Sequence, residues 1–169
     1  RNELHQFSTD GKYMRVLASV KGHYTAMIAP VGHPYVYMLG VQHIIGFHKY
    51  GARDPIKIAT DANGMTLLTF NKKQYVLLST KEGFLYGGVE ELSRAKNTDE
   101  LTEILFTAPG VLFGKLPAYK VIGSITGRTG GINYILAQQA HDRQIHILRA
   151  KLTDGFMEIS TAINRLTRT

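Results

Sequence analysis

The chain contains no cysteine. Disulfides, thiolate nucleophiles and cysteine-held zinc are thereby excluded. An intracellular or virion-internal setting is favoured, because small secreted domains often lean on disulfides. Long hydrophobic runs are missing too. The most apolar stretch, Tyr35 to Tyr50, is interrupted by Gly40 and Gly46 and is too short to cross a bilayer as a helix, so no membrane partner is expected. The polar opening residues carry no secretory-leader pattern, so none is expected. Arg1-Asn2-Glu3 stands where an initiator Met is usual, as in a processed chain or a fragment. Neither a Gly-Lys-Ser/Thr phosphate loop nor a GxGxxG fingerprint occurs, and no GxSxG elbow announces a serine nucleophile. Internal repeats, low-complexity tracts and linkers are not evident. At 169 residues the chain is expected to be a single globular domain, residues 1–169.

Negative charge is also scarce. Thirteen Asp and Glu face 20 Lys and Arg, a net charge of +7 that favours polyanionic partners. The acids gather in Glu82 to Glu103, which includes Glu90, Glu91, Asp99 and Glu100. From Lys115 to Lys151 the basic residues are Lys115, Lys120, Arg128, Arg143, Arg149 and Lys151, with Asp142 as the one acid among them. Arg128, Arg143, Arg149 and Lys151 are the candidate anion-binding set. The plainer origin of such residues is a solvated, solubilising surface. Whether the four share a face decides between the two readings.

What the sequence has in abundance is strand chemistry. Ile56 to Tyr86 alternates apolar runs with turn signals: Asn63-Gly64, then Asn71-Lys72-Lys73, then Lys81-Glu82-Gly83. Asn-Gly tolerates the positive φ of a tight hairpin turn, so residues 56–60 are predicted to pair with 65–70 in an antiparallel meander. Tyr13 to Val20 and Tyr24 to Ala29 read as a first hairpin about Lys21-Gly22. Tyr35 to Tyr50 reads as short buried strands. Tyr119 to Ile125 and Gln144 to Leu148 read as strands, whereas Ile132 to Ala140 fits either a strand or a helix. Val89 to Lys96 and a second segment capped by Thr98 carry helical spacing and end at Pro109-Gly110. Phe156, Ile159, Ile163 and Leu166 recur at three and four residues, the stripe of an amphipathic helix. The expected fold is α+β. An antiparallel sheet of six or more strands carries helices near 89–106 and 154–166, because strands and helices fall in separate runs.

Two residue clusters invite chemistry. His33, His43 and His48 lie close in sequence, and Asp54 follows; neutral imidazoles and a carboxylate suit zinc. Histidines satisfied by backbone carbonyls are the commoner arrangement, and odd separations on a strand point to opposite faces. Thr126-Gly127-Arg128-Thr129-Gly130-Gly131 offers backbone amides and a guanidinium to an anion, or simply turns the chain.

Tyr35-Val36-Tyr37, His48-Lys49-Tyr50-Gly51 and Arg53-Asp54-Pro55 together resemble the two strands and following arginine of GIY-YIG endonucleases. The resemblance is confined to residues 35–55. It implies a metal-dependent nuclease in which Tyr37 and His48 surround an attacking water. Arg53 then supplies the arginine, and Glu90 or Glu91 the metal ligand. His48 stands where the family usually has tyrosine, and Pro55 to Thr60 reads as a strand where the family continues into a helix. The leading expectation is instead a non-catalytic basic protein that binds nucleic acid or an acidic protein surface within a larger assembly. A processed viral or phage virion component fits it. No cofactor is expected. A small-molecule or sensor module is the remaining alternative.

Overall fold

The computed structural model describes residues 2–51, 53–81, 83–92, 106–108, 119–128, 130–140, 142–154 and 156–163. They form four antiparallel sheets laid down in chain order. Sheet I holds Asn2–Phe7 (β1) and Tyr13–Val20 (β2). Sheet II holds Tyr24–Ile28 (β3), Tyr35–Gly40 (β4), His43–His48 (β5) and Ile56–Ala59 (β6). Sheet III holds Gly64–Phe70 (β7), Lys73–Thr80 (β8), Gly83–Gly88 (β9) and Phe106–Ala108 (β10). Sheet IV holds Tyr119–Thr126 (β11), Ile132–Gln139 (β12), Ile145–Thr153 (β13) and Phe156–Ile163 (β14). Sheets II to IV are four-stranded, and each strand pairs with its neighbours in sequence. A single helical turn, Val89–Leu92 (α1), follows β9.

The sheets stack face to face, each interface a separate apolar core. Leu4, Ala18 and Val20 of sheet I meet Met38, Ile45 and Phe47 of sheet II. The opposite face of sheet II sends Tyr37, Leu39, Ile44 and Ile58 against Met65, Val76 and Leu78 of sheet III, with Leu92 closing one end. Leu68, Phe70, Leu77 and Tyr86 turn the other way, onto Ile135, Leu148, Met157 and Ile159 of sheet IV. Strands buried on both faces need continuous apolar runs, which is why β4 and β8 read so apolar. The first strands of successive sheets touch, β3 against β7 and β7 against β11. Consecutive four-stranded up-and-down sheets, stacked radially with their first strands innermost, are the blades of a β-propeller. Sheets II to IV stack in this manner, and the two-stranded sheet I packs on sheet II.

The inner strands leave backbone groups at a free sheet edge, and side chains of the adjacent sheet satisfy them. Asn133 Nδ2 donates to Thr69 O at 2.8 Å, and Asn133 Oδ1 accepts from Thr69 N at 3.2 Å. Ser124 Oγ donates to Leu67 O at 2.9 Å, and Ser79 Oγ accepts from Val121 N at 3.0 Å. Gly64 permits this approach. A Cβ there would lie 2.5 Å from both Ser79 Oγ and Val121 O.

The α+β expectation is therefore corrected: the described residues are almost entirely strand. Phe156 to Ile163 is β14, hairpinned to β13, not a helix. Met157 and Ile159 point into the core and Glu158 out, so the period is two; the three-and-four spacing was coincidental. Asp154, at φ +51°, lies between β13 and β14 rather than at the start of a helix. Of the predicted helix near 89–106, only Val89–Leu92 is helical. Phe106–Ala108 is a strand, and residues 93–105 lie outside the described residues, as do 164–166.

The expectation of one meander sheet of six or more strands is corrected as well. Residues 56–59 pair with β5 and 64–70 with β8, so Asn63-Gly64 lies in a crossover between sheets rather than a hairpin. Tyr13–Val20 likewise pairs with β1, not β3. The ambiguous segment Ile132–Gln139 is a strand. Three sheets of one construction are a structural repeat that leaves no trace in the residues.

Candidate functional site

The inner strands converge on a polar cleft of about 260 Å³. Thr25 and Ala26 come from β3, Asn63 and Gly64 from the entry to β7, Lys120 to Ile122 from β11 and Gln138 from β12. It lies where all three inner strands begin. Alternation on β11 buries Tyr119 and Val121 and turns Lys120 outward. Lys120 stands opposite Gln138 in register, and Gln138 Nε2 donates to Arg143 O at 3.1 Å in the β12–β13 turn. Asn63 is held by its N–H to Ser79 O at 2.9 Å and by Ser79 Oγ donating to its Oδ1 at 2.7 Å. The cleft thus offers an ammonium, a hydroxyl and two amides on rigid strand ends. That set suits an anionic, oxygen-rich ligand group.

The four predicted basic residues do not gather. Arg149 and Lys151 alternate on the exposed face of β13, away from the III–IV core. Lys151 faces Glu158 in register on β14. Arg143 sits in the β12–β13 turn, near the cleft, at φ +57°. Arg128 lies in the β11–β12 loop, at the opposite end of β12. Two amides of that glycine loop are already engaged, Gly127 N with Ile132 O at 2.7 Å and Gly130 N with Gly127 O at 3.2 Å. Ile132 opens a strand, so no helix dipole backs the loop.

The histidines are dispersed, and no three His, Asp or Glu side chains among the described residues converge as a metal site. His43 bonds Val41 O through Nδ1 at 2.9 Å and Tyr24 OH through Nε2 at 3.0 Å. His48 Nδ1 accepts from Tyr50 N at 3.2 Å. His33 is buried, its Nε2 2.9 Å from Tyr37 OH and its Nδ1 3.6 Å from Glu90 Oε1. Burial holds the His33 imidazole below its ordinary pKa, and the Glu90 carboxylate partly offsets that. Of the residues implied by the nuclease resemblance, Tyr37 has no exposed surface and stacks on Tyr35. Its ring occupies the space over Gly46, where a Cβ would lie 2.8 Å away. Arg53 and Asp54 are exposed in the β5–β6 loop, and Glu90 is exposed on α1.

Lys120 and Gln138 were not singled out by sequence reasoning. For Lys120 the one local signal is its polar position between Tyr119 and Val121 on a strand. The cleft itself joins strands far apart in the chain, which no local pattern reports. No family model matches this chain, and neither does any curated protein or solved structure.

Proposed function

We propose that this chain is a non-catalytic, propeller-type binding module that holds an anionic group of an acidic protein surface or a nucleic acid. The contact is the cleft where the inner strands begin. One observation carries the reading: exposed Lys120 of β11 lines a cleft together with Thr25, Asn63 and Gln138. Strand ends fixed by the sheet-on-sheet cores and by the Ser79 hydrogen bonds give these groups a preset geometry, so little ordering cost opposes binding. The excess of basic residues supplies long-range attraction, and Lys120 with its neighbours supplies the specific contact.

The test is a fluorescence titration with an acidic peptide and a single-stranded oligonucleotide across a range of salt. Binding is expected to weaken as salt rises. Lys120→Glu should weaken it about tenfold or more, as loss of a charge-assisted contact implies. Arg128→Glu, at the far end of sheet IV, should leave it nearly unchanged. Equal losses from both variants would put the binding down to overall charge and remove the cleft from the account.

A further inference from the structure

Sheets II to IV share one order, in which the last strand of one sheet precedes the first strand of the next. In each of them the third strand is paired on both edges: β5 by β4 and β6, β9 by β8 and β10, β13 by β12 and β14. Strand β2 leads into β3 as β6 leads into β7, so β1 holds the place of a third strand. Among the described residues its one strand partner is β2, and its other edge is unpaired. The face of sheet II shows the same vacancy. Met27 of β3 pairs with Met38 of β4 in register, so both side chains point to the sheet I side. Met38 is buried there beside Phe47, whereas Met27 is 55% exposed. The first strands of sheets III and IV differ. Met65 of β7 and Val121 of β11 are buried against the preceding sheet.

We propose that the free edge of β1 binds an extended segment of a partner polypeptide by strand addition, a segment with apolar side chains at alternate positions. The occupant follows from what the vacancy lacks. A row of unpaired backbone N–H and C=O groups is matched by another extended backbone. A strand laid on that edge takes the place that β4, β8 and β12 hold in their own sheets. Its alternate side chains then face sheet II, where Met27 is the uncovered apolar surface. Backbone pairing supplies the affinity, and the alternate apolar positions select the segment. This contact does not rest on the Lys120 cleft.

Fluorescence anisotropy tests this with a labelled, end-blocked peptide of about eight residues in which valine alternates with threonine. Saturable binding is expected below about 1 mM, and amide exchange across Asn2–Phe7 should slow when the peptide is added. The N–H groups of successive strand residues point to opposite edges. Of two N-methylated peptides, one methylated at the valines and one at the threonines, one should therefore lose binding and the other keep it. Met27→Lys should weaken binding about fivefold or more, whereas Ile125→Ser, at an exposed position of sheet IV, should not change it. Both residues are exposed, so both variants should keep a strand-rich circular dichroism spectrum. Absence of binding overturns the proposal. So does equal behaviour of the two methylated peptides, since pairing along one edge must tell them apart. Undiminished binding by Met27→Lys, or slowed exchange at another strand edge instead of β1, places the peptide elsewhere and overturns it too. Slow exchange along all of β1 before any peptide is added would mean that a segment of the same polypeptide already holds the edge, and it overturns the proposal likewise.

Discussion

Replacing Asn133 with alanine should cost far more than the loss of one exposed polar side chain. Asn133 is 1% exposed, yet its amide bonds both the N–H and the carbonyl of Thr69. It acts as a short substitute strand along the free edge of β7. Thr126 Oγ1 adds a third contact to Asn133 Oδ1 at 3.2 Å. Alanine would remove all three and strand two backbone groups at a sheet–sheet seam. Each buried group left unpaired costs about 1–3 kcal/mol, so the variant should lose about 2–6 kcal/mol in total. The matched control is Thr126→Val, which gives up only the peripheral bond and should cost about 1 kcal/mol or less. Urea melts followed by circular dichroism measure both. With a slope of about 1–3 kcal/mol per molar, the alanine midpoint should fall by about 1 M or more at constant slope. A shift no larger than that of Thr126→Val would refute the edge-satisfaction argument.

Gly64→Ala should destabilise by about 2 kcal/mol or more, because its Cβ would meet Val121 backbone at 2.5 Å and overpacked cores do not yield freely; the same melts read it, and a neutral result would separate β7 from β11. Stability should also fall with acid through His33. Its folded pKa lies below the ordinary 6.5, so the unfolded chain binds more protons as pH drops through and below that value. The His33 contribution is therefore whole above about 6.5, declines toward the folded pKa and is constant beneath it. His33→Gln should flatten the pH 5–7 portion of the stability curve relative to wild type, and an unchanged slope there would assign the acid sensitivity to other groups.

Much of the strand content was legible because β-branched and aromatic runs mark strands wherever they lie. Tyr13–Val20, Tyr24–Ile28, Tyr119–Thr126 and Ile145–Thr153 all fall where such runs occur. Partner choice was not legible. Lys21-Gly22 and Asn63-Gly64 turn the chain just as a hairpin does, yet each leads into the first strand of the next sheet. A turn signal reports a reversal but not which strand lies beyond it. Asp154-Gly155 is itself a hairpin dipeptide in the sequence, and the helical spacing of Phe156, Ile159 and Ile163 masked it. Gly40 and Gly46 were read as interruptions, whereas they make room for the rings of His43 and Tyr37. The basic residues of the third quarter of the chain were visible as a charge excess, but only register and alternation separate Lys120 from Arg128.

The stacking of sheet III on sheet IV through their inner strands is the central claim, and the absence of cysteine makes it directly testable. Thr66 Oγ1 and Ser124 Oγ lie 2.8 Å apart across that seam, although 58 residues separate them in sequence. Thr66→Cys with Ser124→Cys should form an intramolecular disulfide on mild oxidation, read as a two-hydrogen mass loss in intact-protein mass spectrometry and as faster migration on a non-reducing gel. Free thiols persisting in the folded double variant would contradict the blade arrangement.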